Sequence, residues 1–352
     1  MFKNAYNFLA KKNFNVEFII KPKDILEILL KEGNYQYRKV SNFVKFQSKN
    51  RIVLILAAVL NLILQDYGLF RFLLFSDRKN TVLLGTDISI THVGKILRIP
   101  SMVFNEDDYI LNKEFCNFAY PFANYIVAPQ FTNLGKWQSK KISYNGTQKL
   151  AYLHPKWFRP NSETLSKYGL EVYSYSIVRF VAFEAVHDLV SNQSKISEDT
   201  LEKILKLLSE NGQVVLSIED SKNKKYEHYE KRINPSDMHD LLAFARLYLG
   251  DSQSMSIEAA LLGVPSVRVN RWVDHKEKVY VIEELEKEYS LIKSISPSNQ
   301  EEILSQIRAI FRNHTENHES QNRMLEYISD HDDLTQLIID NIVKVSSGRM
   351  NE

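Results

Sequence analysis

Gly250–Asn270, GDSQSMSIEAALLGVPSVRVN, is the stretch whose reading decides the fold. The apolar run RLYLGD reaches it as a strand and ends at Gly250 and Asp251. A polar turn with Ser252 and Ser254 follows, Met255–Leu262 has helical composition, and Gly263 and Pro265 close that helix before the strand VPSVRV. Ser252 or Ser254 suits the helix cap, because a short hydroxyl accepts an amide hydrogen that has no carbonyl partner. The other amides at a helix start, reinforced by the dipole, form an anion site. A diphosphate fits there without a lysine. Glu258 lies about one turn further on, where a carboxylate can accept both hydroxyls of a ribose. The bland reading uses the same residues: serine turns cap helices in any α/β protein, and an early Glu offsets the dipole. The residues alone leave both readings open.

Working outward, short apolar runs alternate with helical patterns. VEFII (Val16–Ile20), VLLG (Val82–Gly85), SMVFN (Ser101–Asn105) and YIVAP (Tyr125–Pro129) read as strands, with a helix over Asp87–Leu97. After a loop-rich middle, YSIVRFV, QVVLSI, RLYLGD and VPSVRV read as strands, with helices within Glu198–Glu210, over Asn234–Ala245 (Pro235 and Ser236 in its first turn and cap) and through DHKEKVYVIEELEKEY. Such alternation implies βαβ units and parallel sheets. Pro, Gly and Asn cluster around Lys156–Pro160 and mark a domain boundary. The expected architecture is α/β: two Rossmann-like domains, 1–157 and 158–328, facing a cleft, and a C-terminal helical tail, 329–352, packing back on the first domain.

A chain of 352 residues with 44% hydrophobic and 25% charged residues has apolar mass for two cores. The net charge of +2, with both signs interspersed, gives no electrostatic footprint for nucleic acid. The single cysteine, Cys116, excludes an internal disulfide, fits a cytoplasmic setting, and reads as a core residue. No signal peptide is visible. The run Ile52–Leu64 is shorter than the roughly 20 residues of a membrane span. It reads as a buried helix, or alternatively, with Leu69–Phe75, as an interfacial one that places 52–75 at a membrane.

Other groups carry chemistry. FNEDDY puts Glu106, Asp107 and Asp108 after a strand, and clustered carboxylates can supply a general base; a solvated acidic turn is the alternative. Asp87 or Thr86 suits a helix cap, and His92 reads as a packed or surface residue. Arg179 ends a strand and can neutralise phosphate, with a structural Arg an equally open reading. His187 follows that strand in a loop. Arg271, beyond a strand end, is a better phosphate ligand than Arg268. No zinc spacing, Walker loop or Gly-x-Gly-x-x-Gly is present.

DSQSMSIEAALLGVPSVRVN resembles the second-domain motif of GT-B-fold enzymes, in particular the Asp-Ser-Gly-Gly…Glu-Glu-Ala segment of UDP-N-acetylglucosamine 2-epimerases. The resemblance implies that Ser252 and the turn Gln253-Ser254-Met255 hold the diphosphate and Glu258 the ribose. Gln253 and Ser254 replace the two glycines. FKNAYNFLAKKNFNVEF, ILRIPSMVFNEDD, PFANYIVAP, YNGTQKLAYLHP and the opening stretch also resemble, in that order, a GT-B-like domain-of-unknown-function family associated with surface-polysaccharide genes. Members of that family begin with a strand and a Gly-, Pro- and His-rich loop before FFKN, so the resemblance implies a first domain lacking its first strand.

It further implies a metal-independent protein with no cofactor, whose substrate is a nucleotide sugar, UDP-linked, with a glycan or lipid-linked acceptor. Three functions follow. A glycosyltransferase would use a carboxylate of Glu106, Asp107 or Asp108 to deprotonate the acceptor. A sugar-nucleotide 2-epimerase would use these carboxylates on the sugar ring. A catalytically inactive copy would bind nucleotide sugar only.

Overall fold

The structure, a computed structural model, describes residues 1–21, 25–40, 50–180, 196–218, 224–274 and 279–347. The chain forms two compact units, Met1–Ala151 with Asp332–Glu352, and Tyr152–His331. The crossings lie at 151/152 and 331/332, against sequence boundaries of 157/158 and 328/329.

The first unit runs α1 (Lys3–Lys11), β1 (Phe18–Ile20), α2 (Leu26–Glu32), β2 (Tyr37–Lys39), α3 (Arg51–Leu73), β3 (Leu83–Gly85), α4 (Ser89–Leu97), β4 (Ser101–Phe104), α5 (Lys113–Ala119), β5 (Tyr125–Pro129) and β6 (Lys141–Tyr144). The short α6 (Leu150–Leu153) carries the chain across the boundary. All pairings are parallel, in two sheets of order β1-β2 and β3-β4-β5-β6. β4 is buried along its whole length, as an inner parallel strand must be. Cys116, fully buried, packs with Val103, Tyr120 and Ile126, so its reading as a core residue holds.

Among the described residues no strand joins β1 to β3. The two sheets instead share a cluster in which Ile19 and Leu83 pack with Leu69 and Leu73 of α3. Lys21, just past β1, pairs with Asp87, just past β3, at 2.7 Å. Asp87 also accepts the Ser89 amide at 2.9 Å, so it, rather than Thr86, satisfies the start of α4.

α3 corrects the expectation of a buried helix. Leu69 and Leu73 are in the core, but the apolar side chains of its first turns are largely exposed. The first half of the helix is apolar on every side, and among the described residues the unit packs mainly on its second half. There it runs very close to the chain after β2: a Cβ on Gly68 would lie 1.7 Å from the Val40 carbonyl oxygen.

The second unit runs β7 (Tyr175–Phe180), α7 (Glu198–Ser209), β8 (Gln213–Ile218), α8 (Met238–Ala243), β9 (Leu247–Gly250), α9 (Gln253–Leu261), β10 (Ser266–Val269), α10 (Tyr280–Lys287), β11 (Ile292–Ile295), α11 (Gln300–Arg312) and α12 (Glu316–Asp330). Among the described residues its five strands are parallel, in the order β11-β10-β9-β7-β8. α7 shows why the sequence folds this way. Ser197 caps it by accepting the Thr200 amide at 3.1 Å, and Leu201, Ile204, Leu205 and Leu208, at helical spacing, are all buried. The helix expected over Asn234–Ala245 divides into a 3-10 turn, Pro235–Asp237, and α8. Asn234, not Ser236, caps that turn, accepting the Ser236 amide at 3.2 Å.

α13 (Leu334–Ser346) returns to the first unit. Thr335 donates to the Ala151 carbonyl at 2.6 Å, and Asn4 of α1 donates to the same oxygen at 2.9 Å. The tail therefore packs on the first unit through buried hydrogen bonds.

His92 of α4 is a structural residue. Its Nδ1 lies 2.7 Å from an Asp66 carboxylate oxygen and its Nε2 2.9 Å from the Phe118 carbonyl. Both partners are acceptors, so the doubly protonated ring satisfies both. The Asp66 bond holds its pKa above the ordinary histidine value, against the opposing effect of burial. A raised folded pKa contributes stability that is full below the unfolded value and is lost as pH rises through the folded one. The melting-temperature advantage of the wild type over His92→Gln should thus be greatest below about pH 6.5 and shrink as pH rises above it. A gap that stays constant over this range contradicts the assignment.

Candidate functional site

In the second unit the chain leaves β7 for β8 on one side and returns to β9 on the other. The join of β7 and β9 is therefore a topological switch point, where open parallel sheets leave a crevice at the carboxyl ends of their strands. Arg179 lies opposite Gly250 across this join, and the Asp251 amide donates to the Arg179 carbonyl at 3.2 Å.

Glycine is required at 250. A Cβ there would stand 2.2 Å from the Arg179 carbonyl oxygen and 2.6 Å from the Tyr248 hydroxyl. The Tyr248 ring is wholly buried beneath the turn. Burial, then the nearby Asp251 carboxylate, pushes its phenol far above its usual pKa, so it remains protonated.

α9 starts at this point. Ser252 is its cap, with its hydroxyl 3.4 Å from the Met255 amide and its carbonyl accepting the Ser256 amide at 3.0 Å. The Gln253 and Ser254 amides head the helix, before any intrahelical acceptor is available to them. Ser254 is exposed and Gln253 partly so, while the Met255 side chain is in the core. Any role for Met255 thus lies in its backbone, and its amide is turned to Ser252.

Two side chains after β10 complete this rim. Asn270 donates to the Asp251 carbonyl at 2.8 Å, fastening the next loop to the turn. Arg271 is exposed and opens the 3-10 turn Arg271–Asp274. Arg268, by contrast, is buried within β10 and donates to Ser294 at 3.1 Å.

Glu258, about one and a half turns into α9, is largely buried. One carboxylate oxygen accepts the Tyr152 hydroxyl at 2.7 Å, and the other lies 3.6 Å from His239 Nε2. The rings of Tyr152 and Phe158 stand 5.5 and 6.0 Å from that of His239. Glu258 is thus a carboxylate with aromatic neighbours and a polar partner on each oxygen.

The turn around Ser252, Gln253 and Ser254 therefore shares one sheet edge with Arg179 and Arg271. Sequence reasoning missed Tyr152, His239, Tyr248 and Asn270. Tyr152 lies in the YNGTQKLAYLHP segment and Tyr248 in the strand RLYLGD, but only the folded topology shows what they face.

The acidic cluster lies in the first unit, after β4. Glu106 accepts the Thr147 hydroxyl at 2.8 Å and the Gln148 amide, and pairs with Lys149 at 3.1 Å. Asp108 accepts the Asn133 amide at 2.6 Å. These two carboxylates fasten neighbouring loops, and Asp107 is the exposed member. His187 lies outside the described residues. Among the described residues no group of three or more His, Cys, Asp or Glu could hold a metal ion.

The topology and site define a GT-B-like α/β protein, and solved structures agree. The chain is similar to the UDP-GlcNAc 2-epimerase from Methanocaldococcus jannaschii, with TM-score 0.63, 15% identity, and coverage of 93% of this chain and 96% of that one. It is similar to the glycotransferase of kitacinnamycin, with TM-score 0.60, 10% identity and coverage of 97% and 94%. The co-structure of S. aureus MnaA with UDP gives TM-score 0.59, 14% identity and coverage of 96% and 97%. The chain belongs to the family described as "Protein of unknown function (DUF354)", whose model matches residues 33–347. No curated protein matches it by sequence.

Gly250→Ala tests the geometry at the switch point. The new methyl must displace backbone, so the variant should lose about 1–3 kcal/mol in denaturant unfolding. Unchanged stability contradicts the close approach of β9 to Arg179.

Proposed function

We propose that this protein binds a nucleoside-diphosphate sugar, UDP-linked, and transfers the sugar to a glycan or lipid-linked hydroxyl in surface-polysaccharide synthesis. The observation that carries this reading is the start of α9 at the β7–β9 switch point. It supplies unpaired helix amides for a diphosphate, with Glu258 further along the same helix for the ribose. In this reading Gln253 and Ser254 receive phosphate oxygens through their amides, and Arg179 and Arg271 add positive charge as the diphosphate leaves. Ribose hydroxyls replace the Tyr152 hydroxyl as donors to Glu258. Asp107 is the general base for the acceptor, because Glu106 and Asp108 are engaged in fastening loops. The UDP co-structure of the similar S. aureus MnaA supports UDP as the nucleotide.

The likeness to a UDP-GlcNAc 2-epimerase favours a second reading, sugar-nucleotide 2-epimerisation. Transfer needs one base, whereas epimerisation places more demands on the acidic cluster, two of whose carboxylates are occupied. Product analysis separates the readings, since conversion without acceptor identifies an epimerase. Binding without turnover identifies a nucleotide-sugar-binding protein.

Calorimetry and thermal melting with UDP, UDP-N-acetylglucosamine and other nucleotides test the site. A ligand at a hundred times its Kd should stabilise the fold by about 2.7 kcal/mol. Glu258→Ala should weaken binding at least about ten-fold, a loss of about 1.4 kcal/mol. Asp107→Asn should leave binding intact and slow transfer by about 10²- to 10⁴-fold. A folded wild type that no nucleotide stabilises contradicts the proposal.

A further inference from the structure

The start of α3 presents a surface unlike any other among the described residues. Ile52–Leu56 are all exposed, Ile52 at 67% and Leu56 at 63%. Successive helix residues are about 100° apart, so these five side chains encircle the helix. From Val59 on, the exposure narrows to one face, which carries Leu60, Ile63 and, at its end, Tyr67. No charged residue falls between Ile52 and Gln65.

The second half of α3 is fixed to the protein. Gln65 donates to Asp87 at 2.7 Å, Asp66 is held by His92 at 2.7 Å, and Leu69 and Leu73 are core residues. By length and composition Ile52–Leu73 is a candidate span. With its second half bound in this way, only the first half is available to an apolar medium. Residues 52–64 rise about 20 Å, short of the roughly 30 Å hydrocarbon thickness.

We propose that the first half of α3 lies in one leaflet of a lipid bilayer, at the boundary of headgroups and acyl chains. Two observations choose lipid over a second copy of this chain. A helix packed on a protein partner buries a stripe, whereas the side chains here encircle the helix, and acyl chains can reach all of them. Charge points the same way. Over the described residues 50–79 the sequence holds four Lys or Arg and two Asp. Asp66 is paired with His92, and Asp77 accepts from the Asn80 side chain and the Lys79 amide. Two copies face to face would bring like charges together, whereas anionic headgroups complement them. Tyr67 then stands where aromatic residues favour the membrane–water boundary.

This inference does not rest on the nucleotide reading, and its test is independent of it. The full chain is floated with phosphatidylcholine vesicles containing phosphatidylglycerol, alongside the variant Leu56→Ser/Leu60→Ser/Ile63→Ser. All three positions are exposed, so the core is unaltered, and melting curves check folding. The wild type should float and the variant should lose at least about ten-fold in partitioning. A wild type that stays with the soluble fraction, or a variant that floats equally well, overturns the proposal. So does a wild-type dimer in sedimentation that the substitutions split without any vesicle binding. A second measurement covers a misfolded variant: a polarity-sensitive dye on Leu56→Cys should shift to the blue on vesicles, with Cys116 buried and unlabelled. No shift also overturns it.

Discussion

A methyl group at position 250 would meet the Arg179 carbonyl oxygen at 2.2 Å, so only glycine lets β9 end directly against β7. The candidate site depends on this close approach. Because the strands end together, the Asp251 amide reaches the Arg179 carbonyl, Ser252 caps α9 at once, and the first amides of the helix open at the switch point. Asn270 then fastens the neighbouring loop to the same turn. The proposed anion site is made of backbone, and the side chains around it would set its shape. This explains how Gln253 and Ser254 can stand where the resembled motif has glycines: their amides lead the helix, while Ser254 is exposed and Gln253 partly so.

Much of this was legible in the sequence, for physical reasons that differ from one element to the next. The inner strands β4, β5, β7 and β9 are continuous apolar runs because parallel strands are covered on both faces. α7 was legible from its cap and its apolar spacing. Ser252 as a cap and Glu258 as the carboxylate of α9 followed from strand–turn–helix order. What stayed hidden depends on tertiary contact. β2 is the short polar run YRK, and pairing with β1 makes it a strand. Tyr152 and His239 meet Glu258 from 106 and 19 positions away in sequence. The acidic cluster shows the same limit in reverse. Three adjacent carboxylates read as one chemical group, yet Glu106 and Asp108 are engaged by Thr147, Lys149 and Asn133, residues far along the chain.

The buried reading of α3 failed for a related reason. An apolar helix of that length is ordinarily core, because burial of its side chains drives packing. Among the described residues the first unit packs chiefly on the second half of α3, around Leu69 and Leu73, and the contact at Gly68 fixes the helix along that half. Apolar composition sets the demand for a non-aqueous neighbour, and the fold decides whether the protein itself provides one.

In the proposed function a nucleoside diphosphate rests on the first amides of α9. Hydrogen–deuterium exchange with and without UDP, read on peptides spanning residues 250–262, tests it most directly. Exchange at Gln253 and Ser254 should slow on binding, with no comparable change at the amides following Glu106. Unchanged exchange at the start of α9, with UDP shown to be bound, would contradict it.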